Sequence, residues 1–438
     1  LSKNIIHIEV KDCSYIEMDA EMALHINQCF TEQSVFRLSE RIKEDEIPLL
    51  SYDYKSRKWL TGRYIGELNF QFKNQSYCLK VVPRFGNAIV LHLLEEIFNV
   101  KLAKNKSDNK INQESQNQLI KKLISLIWTR ELGKANVHGI PKHKVNNTYI
   151  GKSVKGKLKI RESILPLYNS KQIVSEKVEK TADVTILTIL QKAYRILSKD
   201  YFLTPNMLSD NVTDVLNHAQ NFHIKKGVNA NEYRKIKYGA IYESFRSVVD
   251  FSWVIIQRKN NSITQKNSDK DTDALFLDIA EIWESYLLSI LKKAYTTKGW
   301  KVFSKKFYTY ESQNFKRGLI PDIILEKDDN VFVWDAKYKN MEFRSIDYDR
   351  NDFFQIHTYG AYMKAQNKNV IGLGLLYPFN KELNQENERN NYSSTLFGVN
   401  QSDTWFKVDG IKLSGDIISL EASKEAFLSR INKQIINA

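Results

Sequence analysis

Cysteine is scarce: the 438 residues hold three, Cys13, Cys29 and Cys78, with no paired spacing. That spacing argues against a disulfide framework and against a cysteine-based zinc site, and it fits a reducing cytoplasm. Long apolar runs are lacking too: no charge-free stretch approaches the ~18–20 residues a membrane helix needs, and the opening "LSKNIIHIEVKD" has no signal-peptide core. The eight histidines, His138 and His143 among them, show no metal-ligand spacing. A phosphate-binding loop is also missing. "GKS" at 151–153 has the ending of one, but its first glycine would fall at Asn146, and no apolar strand precedes it. The chain is not expected to bind a nucleoside triphosphate by itself.

What is present belongs to a folded protein. Hydrophobic residues make up 42% and aromatic residues 12%, and the length allows two or three domains, each with its own core. The net charge of +14 is unevenly spread: residues 271–438 carry 22 Lys+Arg against 23 Asp+Glu, whereas 1–270 carry 43 against 28. Contacts with phosphates, or with an acidic partner, are therefore expected mainly from the first two-thirds, and chemistry from the last third. Two polar runs, 104–118 and 257–273, read as boundaries. They divide the chain into a β-rich region (1–103), a mostly helical basic region (104–270) and a C-terminal α/β region (271–438). In the first, 63–86 reads as strands and a hairpin, followed by a helix near "IVLHLLEEIFNV". In the second, "LIKKLISLIWTREL" and "ADVTILTILQKAYRILSKDY" read as helices and 149–164 as extended.

The densest chemistry lies in "PDIILEKDDNVFVWDAKYK" (321–339). Apolar residues flank the turn formers Lys327-Asp328-Asp329-Asn330, which predicts a β-hairpin. With the turn centred between Asp328 and Asp329, Asp322 faces Asp335. Like charges so placed, with Cβ atoms roughly 5 Å apart, are destabilising. Lys337, two residues beyond Asp335, shares its face of the strand, and Ala336 points away. Two carboxylates and an ammonium on one patch suit a hard divalent ion completed by water and substrate phosphate, with Lys337 orienting or deprotonating a water and offsetting transition-state charge. A surface hairpin with an ordinary salt bridge would also show alternating charges. The flanking elements favour the chemical reading. Upstream, 275–295 has the apolar spacing of an amphipathic helix and offers Glu281 and Glu284; downstream, "FFQIHTYGAYMKA" reads as a helix with Gln355 and Tyr359 on one face. A buried strand, "VIGLGLLYPF" (370–379), follows.

This order, with Pro321-Asp322, Asp335-Ala336-Lys337, a helical glutamate and Gln355-x-x-x-Tyr359, resembles the PD-(D/E)xK nuclease superfamily. The resemblance implies Mg²⁺-dependent (or Mn²⁺-dependent) phosphodiester hydrolysis with Asp322, Asp335, Lys337, Glu284 and Gln355 as catalytic residues. It implies metal contacts from Asp322, Asp335, Glu284 and the Ala336 carbonyl, with Glu284 matching the family position better than Glu281. Outside the catalytic third, "YIGELNF", "LKVVPRFG", the stretch around Gly156-Lys157-Leu158 and "TADVTILTILQKAYRIL" resemble the McrC family, the nuclease subunits of McrBC-type modification-dependent restriction systems. At Asp183-Val184-Thr185-Ile186-Leu187 the chain departs from that family's Asp/Asn-x-x-Leu-Asn, which leaves the role of the helix there open.

The McrC resemblance implies an α+β multidomain subunit whose N-terminal region engages and stimulates a hexameric AAA+ GTPase of McrB type. Its restriction-endonuclease-like C-terminal domain would cut double-stranded DNA in anti-phage defence, with self-association between nuclease domains. Lys55, Arg57 and Lys58 are candidate contacts for the ring. A stand-alone nuclease acting on structured DNA or RNA, and a non-catalytic adaptor that only stimulates a motor, remain the alternatives.

Overall fold

The alternating stretch at 63–86 folds into strands Tyr64–Phe72 and Gln75–Val82, joined by a two-residue turn at Lys73-Asn74, both with positive φ, the conformation that matches the twist of paired strands. In this computed structural model the described residues are 5–30, 35–36, 48–99, 116–221, 227–264, 275–310, 317–339, 349–380, 393–399 and 403–436. They form a mixed α/β architecture with several sheets.

The chain divides into two units, one made of 1–120 together with 270–438, the other of 121–269. This differs from the three consecutive regions expected. The reason lies in one strand: Leu275–Asp278, read as the start of a helix, pairs antiparallel with Tyr64–Glu67 and parallel with Val35–Phe36. It thereby completes a five-stranded sheet with Ile5–Lys11 and the hairpin. Phe276 lies in that sheet's apolar core with Val10, Leu68 and Leu79. The helix begins only at Ile279 and runs to Tyr295, N-capped by Asp278, whose Oδ1 accepts from the Ala280 and Glu281 amides.

From there the expected order of helix, strand, hairpin, helix and strand is found. A six-stranded mixed sheet runs Lys301–Phe303, Ile323–Lys327, Asn330–Ala336, Asn369–Phe379, Trp405–Lys412 and Ser393–Thr395. The helix Arg350–Ala365 covers one face, and Ile356, Tyr359 and Met363 pack on Val331, Val333 and Leu373.

In the second unit, helices Val184–Asp200 and Phe245–Thr264 pack together, and Trp128 Nε1 donates to Ser252 Oγ at 2.8 Å in the interior. The region is less uniformly helical than expected: Lys142–Gly151, Ile173–Ala182 and Lys157–Leu158 make a three-stranded sheet. The stretch 149–164 is strand only to Gly151 and at 157–158, then turns into the helix Ile160–Ser170. Asp183, where the family pattern is broken, N-caps the Val184–Asp200 helix by accepting from Thr185 N and Ile186 N. Of the polar runs read as boundaries, 257–264 continues a helix and 116–118 begins one; the remainder lies outside the described residues. Among the described residues no helix is long and apolar enough to cross a membrane.

Candidate active site

The hairpin has the predicted register. Ile323 pairs with Trp334 and Lys327 with Asn330, across a turn in which Asp328 takes a positive φ. The main-chain ladder stops at Ile323, and Asp322 Oδ2 then accepts from the Ala336 amide at 2.9 Å. The carboxylate thus stands in for the next main-chain acceptor, which holds it at the end of the strand that carries Asp335.

Strand alternation sends Val331, Val333, Asp335 and Lys337 toward the Arg350–Ala365 helix. Asp335 is 1% exposed, and the Lys337 ammonium lies 2.6 Å from its Oδ2. Lys337 Nζ also donates to Gln355 Oε1 at 2.7 Å; Gln355 Nε2 donates to the Tyr359 hydroxyl at 2.7 Å, and that hydroxyl donates to the Ile320 carbonyl at 3.1 Å. The Gln-x-x-x-Tyr face is therefore a relay that fixes the lysine. The Leu376 carbonyl accepts from both the Lys337 amide, at 2.9 Å, and Trp283 Nε1, at 3.2 Å. That shared acceptor ties the Ile279–Tyr295 helix, and with it Glu284, to the end of the hairpin.

The electrostatics of the site are unbalanced. Burial, then the charges of Glu284 and Asp335, push the Asp322 carboxyl well above its ordinary value. Burial also raises Asp335, and the adjacent Lys337 ammonium offsets only part of that. For Lys337 burial works the other way, but Asp335 and Asp352 outweigh it and hold the ammonium above its usual range. Asp335 Oδ2 is buried without a well-formed hydrogen bond. Crowded, destabilised carboxylates of this kind are donors that a divalent cation would stabilise. Among the described residues no three His, Cys, Asp or Glu side chains close around one point, so a full ligand shell would need oxygens beyond the protein's own acidic side chains.

A cavity of about 1000 Å³ is lined by Glu284, Asp322, Asp335, Ala336, Lys337 and Gln355, so the six residues singled out in the sequence share one space. Glu281 is buried at the start of its helix and is not part of that lining. Two participants were not anticipated. Asp352 is buried, 3.4 Å from Lys337 Nζ and 2.9 Å from Lys339 Nζ, and accepts from the Tyr377 hydroxyl at 3.3 Å. Its place three residues before Gln355, on the same helical face, was the available signal. Arg63 lines the cavity from the N-terminal sheet, and nothing local in the sequence marks it.

A family model described as "McrBC 5-methylcytosine restriction system component" matches residues 60–378. The chain belongs to this McrBC family. None of the curated proteins compared with it matches. Two solved structures of Thermococcus gammatolerans show a likeness at 12% identity. One is a refined half-complex from a tetradecameric assembly of McrB AAA+ hexamers with bound McrC, with 97% of this chain and 100% of that chain covered and a TM-score of 0.46. The other is a cryo-EM structure of the McrBC complex, with 66% and 88% covered and a TM-score of 0.33. As a McrBC chain, the protein is a component of a restriction system.

Proposed function

We propose that this McrBC component is the DNA-cleaving subunit, a PD-(D/E)xK endonuclease that hydrolyses phosphodiester bonds of double-stranded DNA and works with an AAA+ GTPase of McrB type. The observation that carries the reading is the meeting of Asp322 and Asp335 at the open end of the hairpin, with Lys337 held over Asp335 by Gln355. A scaffold has no reason to keep two facing acids in a largely buried patch, because Lys337 offsets only part of the cost.

Mg²⁺, or Mn²⁺, would be held by Asp322 and Asp335 with the Ala336 carbonyl, water and substrate phosphate, and with Glu284 on the same wall; when bound it would polarise the phosphodiester and make water a better nucleophile. Lys337, kept cationic by its neighbours, offsets the charge that builds on the phosphoryl oxygens. Gln355 and Tyr359 fix that cation in place. The partner ring would supply sequence reading and GTP hydrolysis, in keeping with the absence of a P-loop sequence from this chain. Contact between nuclease domains of two assemblies would allow both strands to be cut.

The test is Asp335→Ala in the complex with its partner ring, GTP, Mg²⁺ and DNA. Cutting should be abolished, while partner binding and stimulation of GTP hydrolysis persist. Cutting at the parental rate would refute the site. Cutting by the wild-type chain with Mg²⁺ but no partner or nucleotide would point instead to a stand-alone nuclease.

A further inference from the structure

The acids of the cavity face two cationic donors from different parts of the chain. Arg63 immediately precedes Tyr64–Phe72, a central strand of the N-terminal sheet. Its carbonyl accepts from the Ile279 amide at 3.0 Å, and its Nε lies 3.1 Å from Oδ2 of Asp278, the cap of the helix that carries Glu284. That ion pair uses one edge of the guanidinium; among the described residues no other acceptor is hydrogen-bonded to it, and the side chain lines the cavity. Lys306 lies between Lys301–Phe303 and Phe307–Thr309 and lines the same space. Its stem runs over Gly318, where a Cβ would come within 2.6 Å of Lys306 Cε. Among the described residues no carboxylate is within ion-pairing distance of its ammonium.

The other cations of the cavity are already engaged: Lys337 by Asp335, and Lys339 by Asp349 and Asp352. Arg63 and Lys306 are therefore the groups with donor capacity left for an incoming anion. A guanidinium anchored at Nε presents its two terminal nitrogens as a fork that matches phosphate oxygens, and an ammonium on a flexible stem serves as a point contact. At about 1000 Å³ the cavity has room for a phosphodiester with its flanking sugars.

We propose that Arg63 and Lys306 form a backbone-phosphate subsite that binds DNA phosphates next to the one placed between Asp322 and Asp335. The nuclease centre is then composite: the basic N-terminal part of the chain contributes directly to substrate binding in the cleft. This rests on the nuclease reading above.

The experiment measures binding of a labelled DNA duplex to the full chain carrying Asp335→Ala, across a salt series and without partner. Lys306→Gln and Arg63→Gln should each weaken binding and flatten the dependence of log affinity on log salt by about 0.9, the slope carried by one phosphate contact, and the double variant by about twice that. Arg63→Lys should recover most of the slope, since the charge returns. Because Arg63→Gln also strips Asp278 of its partner, melting curves accompany it, and Lys306→Gln decides the matter should Arg63→Gln unfold. An unchanged affinity and slope in Lys306→Gln would overturn the proposal, as would a parent chain that binds no DNA at low salt. Loss of cutting in Asp335→Ala alongside an unchanged slope would sink this subsite and spare the nuclease reading. A reduced slope with a wild-type chain that never cuts would do the reverse.

Discussion

Lys337 is held by three groups at once, Asp335 at 2.6 Å, Gln355 at 2.7 Å and Asp352 at 3.4 Å. Only Gln355 holds it without adding charge. Replacing Gln355 by alanine leaves the ammonium to its two carboxylates, which on the nuclease reading makes it less available to a phosphoryl oxygen. Loss of one such buried hydrogen bond is worth roughly 1–3 kcal/mol, so the single-turnover cutting rate of Gln355→Ala should fall by about 10–100-fold. DNA binding should stay near its parental value, the melting temperature should drop with the same lost bonds, and a parental rate would remove Gln355 from the site. Much of this centre was legible at the residue scale. Strand alternation and a compact turn give the register of Asp322, Asp335 and Lys337 from numbering alone, and helical spacing puts Gln355 beside Tyr359. Asp352 was passed over although it obeys the same helical spacing. Arg63 could not be read, because its meeting with Asp278 depends on strand pairing between parts of the chain more than two hundred residues apart.

The elements that carry the site are set by close main-chain approach as much as by apolar pattern. Gly410 pairs with Tyr377 in the parallel ladder beside the strands that carry the candidate site, and a Cβ there would meet the Tyr377 carbonyl oxygen at 1.8 Å. Gly410→Ala should therefore cost at least the ~1–3 kcal/mol typical of overpacking, read as a clear drop in melting temperature; a parental melting curve would mean the strands can part without penalty. In the sheet of the second unit, Glu179 accepts from Tyr149 Oη at 2.7 Å and Asn147 Nδ2 at 2.9 Å and pairs with Lys177 at 2.9 Å. Lys177, then Tyr149 and Asn147, pull its carboxyl down to about 2. A depressed carboxyl adds stability that is complete above its ordinary value of 4.5 and disappears as pH falls through about 2. Glu179→Gln should thus melt below the parent at neutral pH, and the gap should narrow as the pH is lowered from 4.5. A gap that stays constant with acid would show that the pairing adds nothing. Both features escape a pattern reading: a glycine after an aspartate in a mixed strand and a glutamate on a charged strand are each unremarkable until the neighbouring strand is in place.

At the scale of the whole first unit, the polar run before residue 275 falls where the second unit ends, but 270–438 is no unit apart from 1–120. Leu275–Asp278 completes the N-terminal sheet, and Phe276 and Leu277 are fully buried. Other contacts join the same parts: His92 Nε2 to Glu421 Oε1 at 2.6 Å, Lys293 to Glu96 at 3.3 Å, and the Arg84 guanidinium over the Tyr338 ring at 4.4 Å, one residue beyond Lys337. Cutting the chain at the apparent boundary would expose two large apolar side chains, each worth about 1.5–3 kcal/mol when buried. It would also leave Asp278, the cap of the Glu284 helix, without Arg63. Against the narrow margin by which domains are stable, those losses suffice to unfold a fragment. A chain of residues 270–438 should therefore show no cooperative melting transition and no cutting, and mixing it with a 1–120 fragment should restore the transition at least in part. A fragment that melts cooperatively at the temperature of the full chain would show that the six-stranded sheet is self-sufficient, and that the strand at 275–278 is an attachment to the N-terminal sheet and no part of the support of the candidate site.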